Sequence, residues 1–398
     1  MEILVALLLI SGLLKSFFLY FGIDLPLDLT LLIAGFIILN LLYKSYSGKL
    51  EIPERGKMFL LALGLFVCFA GFSLIYSASN LYKFQKFSQL ILLLLTGICI
   101  GITKNFNGKK FTSYFGFSSI LLGVIYLLII KIKGTDTTDL AYKEFFGLYL
   151  SISISVGLVG LLFFFGKFDY SQKLKNIVFG ISIFTLLIIA ARGPILIILL
   201  SIIIFKIIPL AKSKLKLVRN SIMFGISGVL TMAAVFPILY SKSEMLRRAV
   251  WRMGILFTDL SGSSEVSDSV GTRLENMKFT VETVFSNWSS FIFGKGLGSF
   301  GILLKGTDIK QHPHNIFLEI WFDLGLIGFL IFSLCVFVPL FIQHKNKVVS
   351  QIPFIALLYL ALNYSKSTSF SEIRTGIAMV ALTLVCCSVS KKTIQSAD

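Results

Sequence analysis

The sequence predicts an all-α integral membrane protein of about twelve transmembrane helices, with one large extracytoplasmic loop between the ninth and tenth. Three observations carry that expectation. The 398-residue chain is 56% hydrophobic and only 14% charged, whereas a soluble domain is nearer about 25% charged. Apolar stretches close to the ~20 residues a bilayer requires recur from end to end. One long polar segment, residues 241–313, interrupts them.

Hydropathy places the first eight spans near Ile3 to Tyr20, Pro26 to Tyr43, Met58 to Ser77, Phe87 to Thr103, Thr112 to Ile130, Phe146 to Phe165, Ile177 to Ala190 and Pro194 to Leu210. Ser221 to Tyr240, Asn315 to Ile342, Ile352 to Asn363 and Ile373 to Val389 complete the set. Residues 1–240 thus hold spans one to nine, 241–313 the loop with interfacial helices, and 314–398 the last three spans with a short cytoplasmic tail. The first span lacks a basic leader and a small-residue cleavage site, so it reads as retained. Lys15 interrupts it and must snorkel or face the bundle interior.

Charge in the short connections sets the orientation, because cationic segments resist translocation. One alternating set carries Lys44, Lys49, Arg55 and Lys57; Lys104, Lys109 and Lys110; Lys167, Lys173 and Lys175; Lys212, Lys214, Lys216 and Arg219; and Lys345, Lys347, Lys391 and Lys392. The opposite set carries only Lys83, Lys86, Lys131, Lys133, Lys143, Arg192, Lys366 and Arg374. The richer side is expected to be cytoplasmic, with both termini on it and the long loop outside. The net charge of +17 is scattered over these connections instead of forming one basic face, which argues for anionic lipid contact and against a nucleic acid partner. All five cysteines, Cys68, Cys99, Cys335, Cys386 and Cys387, fall in apolar spans, so no disulfide framework or thiolate metal cluster is expected.

Polar residues concentrate on the outer face. Arg192 lies in Ala190-Ala191-Arg192-Gly193-Pro194 with almost no loop around it. Its guanidinium suits phosphate oxygens, although a turn residue snorkelling to headgroups accounts for it equally well. In the loop, Lys242, Arg247, Arg248 and Arg252 share a helix-compatible stretch with Met245, Leu246, Ala249, Val250 and Met253. That stretch resembles an interfacial helix, and headgroup contact is its simplest role. Gly271-Thr272-Arg273-Leu274-Glu275 opens a helix through about Phe285, capped by Thr272 or Asp268. A cation in a first helical turn opposes the helix dipole, so Arg273 points to function instead of helix stability. Gly294-Lys295-Gly296-Leu297-Gly298-Ser299-Phe300-Gly301 has the spacing of a dinucleotide loop but lacks the strand, helix and acid of that fold, and reads as tight turns or flexible backbone.

His312-Pro313-His314 precedes the tenth span, on which Glu319 and Asp323 sit four residues apart and share a helical face. Histidine exchanges protons near neutral pH, so general acid–base chemistry is the leading reading, with His314 the base and His312 in support. With Glu319 the pair also supplies donors for zinc, but no second histidine cluster or cysteine pair lies outside the membrane to complete a site. Glu319 either orients a histidine, contacts a sugar hydroxyl or bonds a neighbouring helix; for Asp323 the helix contact is favoured.

The run His-Asn-Ile-Phe-Leu-Glu-Ile-Trp-Phe-Asp-Leu-Gly-Leu-Ile-Gly from His314 to Gly328, with the Gly-Lys-Gly-Leu-Gly-Ser-Phe segment before it, resembles the O-antigen ligase and polymerase superfamily of membrane glycosyltransferases. The similarity is strongest from about Gly180 to Gly328. It implies a metal-independent inverting enzyme with no cofactor, transferring oligosaccharide from a polyprenyl (undecaprenyl) diphosphate donor to a glycan or glycolipid hydroxyl outside the bacterial inner membrane. By motif, Arg192 and Arg273 match the diphosphate-binding arginines and His314 matches the histidine that activates the acceptor. Glu319, Asn315, His312, Arg247 and Arg248 are further candidate substrate contacts. Partners implied are the lipid-linked donor, the acceptor, membrane lipids and a chain-length regulator. A polymerase is slightly preferred over a ligase acting on lipid A core, because nothing in the loop argues for a core-oligosaccharide acceptor. A transporter of the same lipid-linked glycan is the alternative from another class. Polar residues at one face, and halves with no evident repeat, argue against it.

Overall fold

The computed structural model describes residues 1–48, 54–102, 106–133, 145, 147–165, 170–189, 191–207, 268–344, 352–367 and 373–382. The expected ninth span, Ser221 to Tyr240, and the basic stretch bearing Lys242, Arg247, Arg248 and Arg252 lie outside the described residues. Every regular element among the described residues is helical.

The helices are α1 (Glu2–Tyr20), α2 (Leu29–Tyr46), α3 (Glu54–Ser73), α4 (Tyr82–Ile102), α5 (Gly108–Lys133), α6 (Tyr149–Phe165), α7 (Gln172–Ile189), α8 (Arg192–Ile202), α9 (Asp268–Val284), α10 (Trp288–Phe293), α11 (Phe300–Lys305), α12 (Ile316–His344) and α13 (Ile352–Ser367). Residues 374–382 are also helical. Seven of these helices are long and apolar enough to cross a membrane, and three shorter apolar helices accompany them, among the described residues. Their exposed leucines, isoleucines and phenylalanines, such as Leu31, Leu39, Leu61 and Phe117, would be unfavourable in water and suit a lipid surround. This is a membrane protein.

Two compact units make up the chain. The first comprises Met1–Phe18, Ile23–Phe115 and Asp268–Asp398; the second comprises Leu19–Gly22 and Gly116–Ser267. In the second unit, small residues let helices approach closely. A Cβ on Gly160 of α6 would stand 2.9 Å from that of Ser182 on α7, and one on Gly123 of α5 would meet Val156 and Thr185 at 3.1 and 3.2 Å. The α7–α8 connection is as short as the sequence implied, with α8 beginning at Arg192 directly after Ala191.

In the first unit α3 packs against both α4 and α12, with Leu63, Phe66, Leu90 and Phe332 buried. Asp28 caps α2, accepting from the backbone N–H of Thr30 and Leu31 at 2.9 and 3.4 Å, and takes the Lys15 ammonium at 2.5 Å. The intrusive Lys15 is therefore answered by a helix-capping carboxylate. That hydrogen bond from Lys15 is the main influence holding Asp28 below its ordinary carboxylate range.

Two expectations are corrected. The helix carrying Arg273 starts at Asp268, so Arg273 is its sixth residue and not in the first turn; the dipole argument for Arg273 falls away. Lys86, counted with the loop cations, lies inside α4 with a side chain that is 0% exposed.

Candidate active site

The site grows from a break in α12. Gly325 has φ 65° and ψ −170° inside an otherwise helical run, a conformation open essentially to glycine alone. It detaches a half-helix, residues 316–324, whose last carbonyls lose their normal acceptor role. A membrane span tolerates this only where other donors take over. Lys295 N–H donates to Phe322 O at 2.7 Å and Gly296 N–H to Asp323 O at 3.0 Å.

The donors come from the glycine-rich segment, and this explains its spacing. Gly294, Gly296 and Gly298 all have positive φ, at 79°, 87° and 81°. A Cβ on Gly294 would lie 2.6 Å from Asp323 backbone atoms, and one on Gly296 would lie 2.5 Å from Ser77 Cα. The segment is close-packed backbone, not a flexible substrate loop. The connection between α3 and α4 locks it from the other side. Ser77 Oγ–H donates to Leu297 O at 2.8 Å, the Tyr76 hydroxyl donates to Phe293 O at 2.8 Å, and Ala78 N–H donates to Ser299 Oγ at 3.0 Å. Burial, then the charge of Asp323, pushes the Tyr76 hydroxyl up to about 12, so it remains a donor. Asp308 accepts from Ser79 Oγ–H and from the N–H groups of Asn80 and Leu81 at 2.7, 2.8 and 2.7 Å. It caps the approach to α4 from more than two hundred residues away in sequence.

An aromatic cluster seats α9 to α11 on the half-helix. Phe300 and Phe322, both fully buried, stand edge to face at 5.1 Å, with Phe279 against each. Trp321 Nε1–H donates to Phe291 O at 3.2 Å.

At the start of the half-helix, Asn315 accepts from the N–H groups of Phe317 and Leu318 at 3.0 and 3.2 Å. It acts as the N-cap. His314, immediately before it, has φ 60°, the one positive φ of a non-glycine among the described residues. Such strain is held only where surrounding structure overrides it, as it commonly does at functional positions. The His312 and His314 rings lie 4.4 Å apart, and Asn276 Nδ2–H reaches His312 O at 3.5 Å, tying the turn to α9. His312 Nδ1 is buried with no hydrogen-bond partner among the described residues.

Burial lowers the proton affinity of both rings. His312 is pushed down to about 4, with Glu319 opposing the effect. For His314 the second cause is the positive charge of Arg273, and Glu319 again opposes. A half-buried imidazole whose proton affinity is lowered by burial and by a nearby guanidinium is able to accept a proton at neutral pH. His314, Asn315, His312, Glu319 and Arg273 thus belong to one unit. Arg192 opens α8 in the other; Arg247 and Arg248 are outside the described residues.

Glu319 and Asp323 both bond the Lys86 ammonium, Asp323 at 2.5 Å, and all three side chains are 0% exposed. Lys86 was missed as a site residue. Two carboxylates four apart in an apolar span demand a cation, and that was the available signal. Among the described residues no group of three or more His, Cys, Asp or Glu is placed to hold a metal ion.

These features define a helical membrane protein with a broken span, a strained histidine at the start of the half-helix before the break and a cation acting on it. Residues 177–333 match the family model Wzy_C, described as O-Antigen ligase. The matched region contains Arg192, Arg273, His314 and Glu319. No individual curated protein matches the chain.

Proposed function

We propose that the chain is an inverting, metal-independent glycosyltransferase of the bacterial inner membrane, with both termini cytoplasmic, twelve spans and the site on the outer face. It transfers oligosaccharide from a polyprenyl diphosphate donor to an acceptor sugar hydroxyl. The observation that carries this reading is the geometry of His314: a strained, half-buried, neutral imidazole under the charge of Arg273, within the region matched by the family.

His314 takes the proton of the acceptor hydroxyl as that oxygen attacks the anomeric carbon. The glycosidic bond to the diphosphate breaks in the same displacement, which inverts the centre and needs no covalent sugar intermediate. Arg273 offers paired donors to the departing diphosphate, whose charge grows toward the transition state. Arg192 takes the same role by motif. Polymerase and ligase share this chemistry and differ in acceptor, and the polymerase reading is preferred. In a deletion strain, surface chains capped by single repeats support polymerase; polymer accumulating on lipid carrier supports ligase.

The test is purified protein with lipid-linked donor and acceptor. His314→Ala and Arg273→Ala are expected to lose at least about a hundredfold in rate. Near-normal transfer by either variant sinks the assignment of that residue. Undiminished donor movement in liposomes without acceptor identifies a transporter instead.

A further inference from the structure

The buried trio of Lys86, Glu319 and Asp323 has no part in the chemistry proposed above. It holds two carboxylates against one ammonium inside a membrane protein. Buried ion pairs are poor sources of stability, since desolvation offsets most of the attraction and apolar side chains often serve as well. Ionisable groups at such depth are retained for function.

What the trio grips is the half-helix that carries His314. Glu319 lies one turn after the Asn315 cap, and its N–H closes that turn on Asn315 O at 2.9 Å. Asp323 lies one turn further, at the break. Lys86 thus holds both turns by their side chains while Lys295 and Gly296 hold the broken end by its main chain. Two anchors on nine residues fix both the axial position and the rotation of the half-helix. His314 in its positive-φ conformation depends on that placement.

We propose that Lys86 is a positioning residue for the transfer reaction: by holding Glu319 and Asp323 it fixes the half-helix that presents His314, and it keeps the Glu319 carboxylate facing the two histidines. This rests on the reading of His314 as the base. The charged groups acting on the histidine pair are Arg273 from α9, Lys310 from the preceding loop, Glu319 from α12 and Lys86 from α4. Among these groups Glu319 favours protonation, so moving or neutralising it has a readable consequence.

The chain has three histidines, His312, His314 and His344, so ring-labelled protein in lipid nanodiscs gives a resolvable set of carbon resonances. Lys86→Arg, which keeps the cation, is expected to retain more of the wild-type histidine titration and transfer rate than Lys86→Met. Lys86→Met should displace the His312 and His314 signals, leave His344 in place, and lower kcat at least about tenfold while donor KM changes little. Glu319→Gln should move the His312 and His314 titrations to lower pH. Folded Lys86→Met with wild-type spectra and kcat overturns the proposal. If that variant does not fold, unchanged titration in Glu319→Gln overturns it alone. Displaced histidine signals in a protein whose transfer is indifferent to His314→Ala leave the positioning role standing and remove the base assignment.

Discussion

A single methyl group at Gly325 tests the architecture that makes the site. In Gly325→Ala the new Cβ would stand 2.2 Å from Ile292 O, 2.4 Å from Ile292 C and 2.5 Å from Gly294 N, all backbone atoms. The φ of 65° and ψ of −170° carry a conformational penalty of about 1–3 kcal/mol for any other residue. Relief requires the glycine-rich segment to lift from α12, breaking the 2.7 and 3.0 Å hydrogen bonds to Phe322 O and Asp323 O at about 1 kcal/mol each. The total is roughly 3–5 kcal/mol, a large share of the ~5–15 kcal/mol that folded proteins possess. Gly306→Ala is the control: it shares a positive φ of 70° but has nothing within 4 Å, so it should lose only about 1–2 kcal/mol. Thermal unfolding of both variants in nanodiscs, followed by tryptophan fluorescence, makes the comparison. Equal stability of the two variants would refute the interlocked backbone.

Asp308→Asn should destabilise the α3–α4 connection by about 1 kcal/mol, as loss of a charged cap does, detectable as faster proteolysis there. Burial opposes the Asp308 charge, but the bonds from Leu81 N–H, Ser79 Oγ–H and Asn80 N–H win and depress its pKa below 3.8. Its contribution is therefore present above pH 3.8 and is lost as pH falls through the lower folded value. His312 gives the other acid-side effect. Its folded value of about 4, against 6.5 unfolded, means the unfolded chain binds more protons between them, so stability falls as pH drops from about 6.5 to about 4. His312→Gln should flatten that part of a pH–stability curve; an unchanged slope would contradict the buried neutral ring.

Much of the helical scaffold was legible because hydropathy and helix length answer to the same bilayer dimension. The short connection around Arg192 could be read from the two apolar stretches that meet there, and the His-Asn run drew attention because a polar segment meets an apolar one at that point. What escaped were features set by partners distant in sequence. Lys86 looks like one more loop cation when charges are counted along the chain, since its carboxylates lie 233 and 237 residues away. The glycines at 294, 296 and 298 suggested turns, but their close approach to α12 and to Ser77 is a tertiary fact. Arg273 was set in a first turn because Gly271 looks like a boundary, whereas the helix runs through it from Asp268.

The central claim is that His314 is the base for transfer from a lipid diphosphate. The most direct measurement is the pH dependence of kcat/KM for the purified enzyme with lipid-linked donor and acceptor. Since burial and Arg273 depress the His314 value below 6.5, activity should hold through neutral pH and decline only on the acid side of 6.5, and His314→Ala should abolish that acid limb together with most of the rate. An acid limb that survives unchanged in an active His314→Ala enzyme would contradict the account.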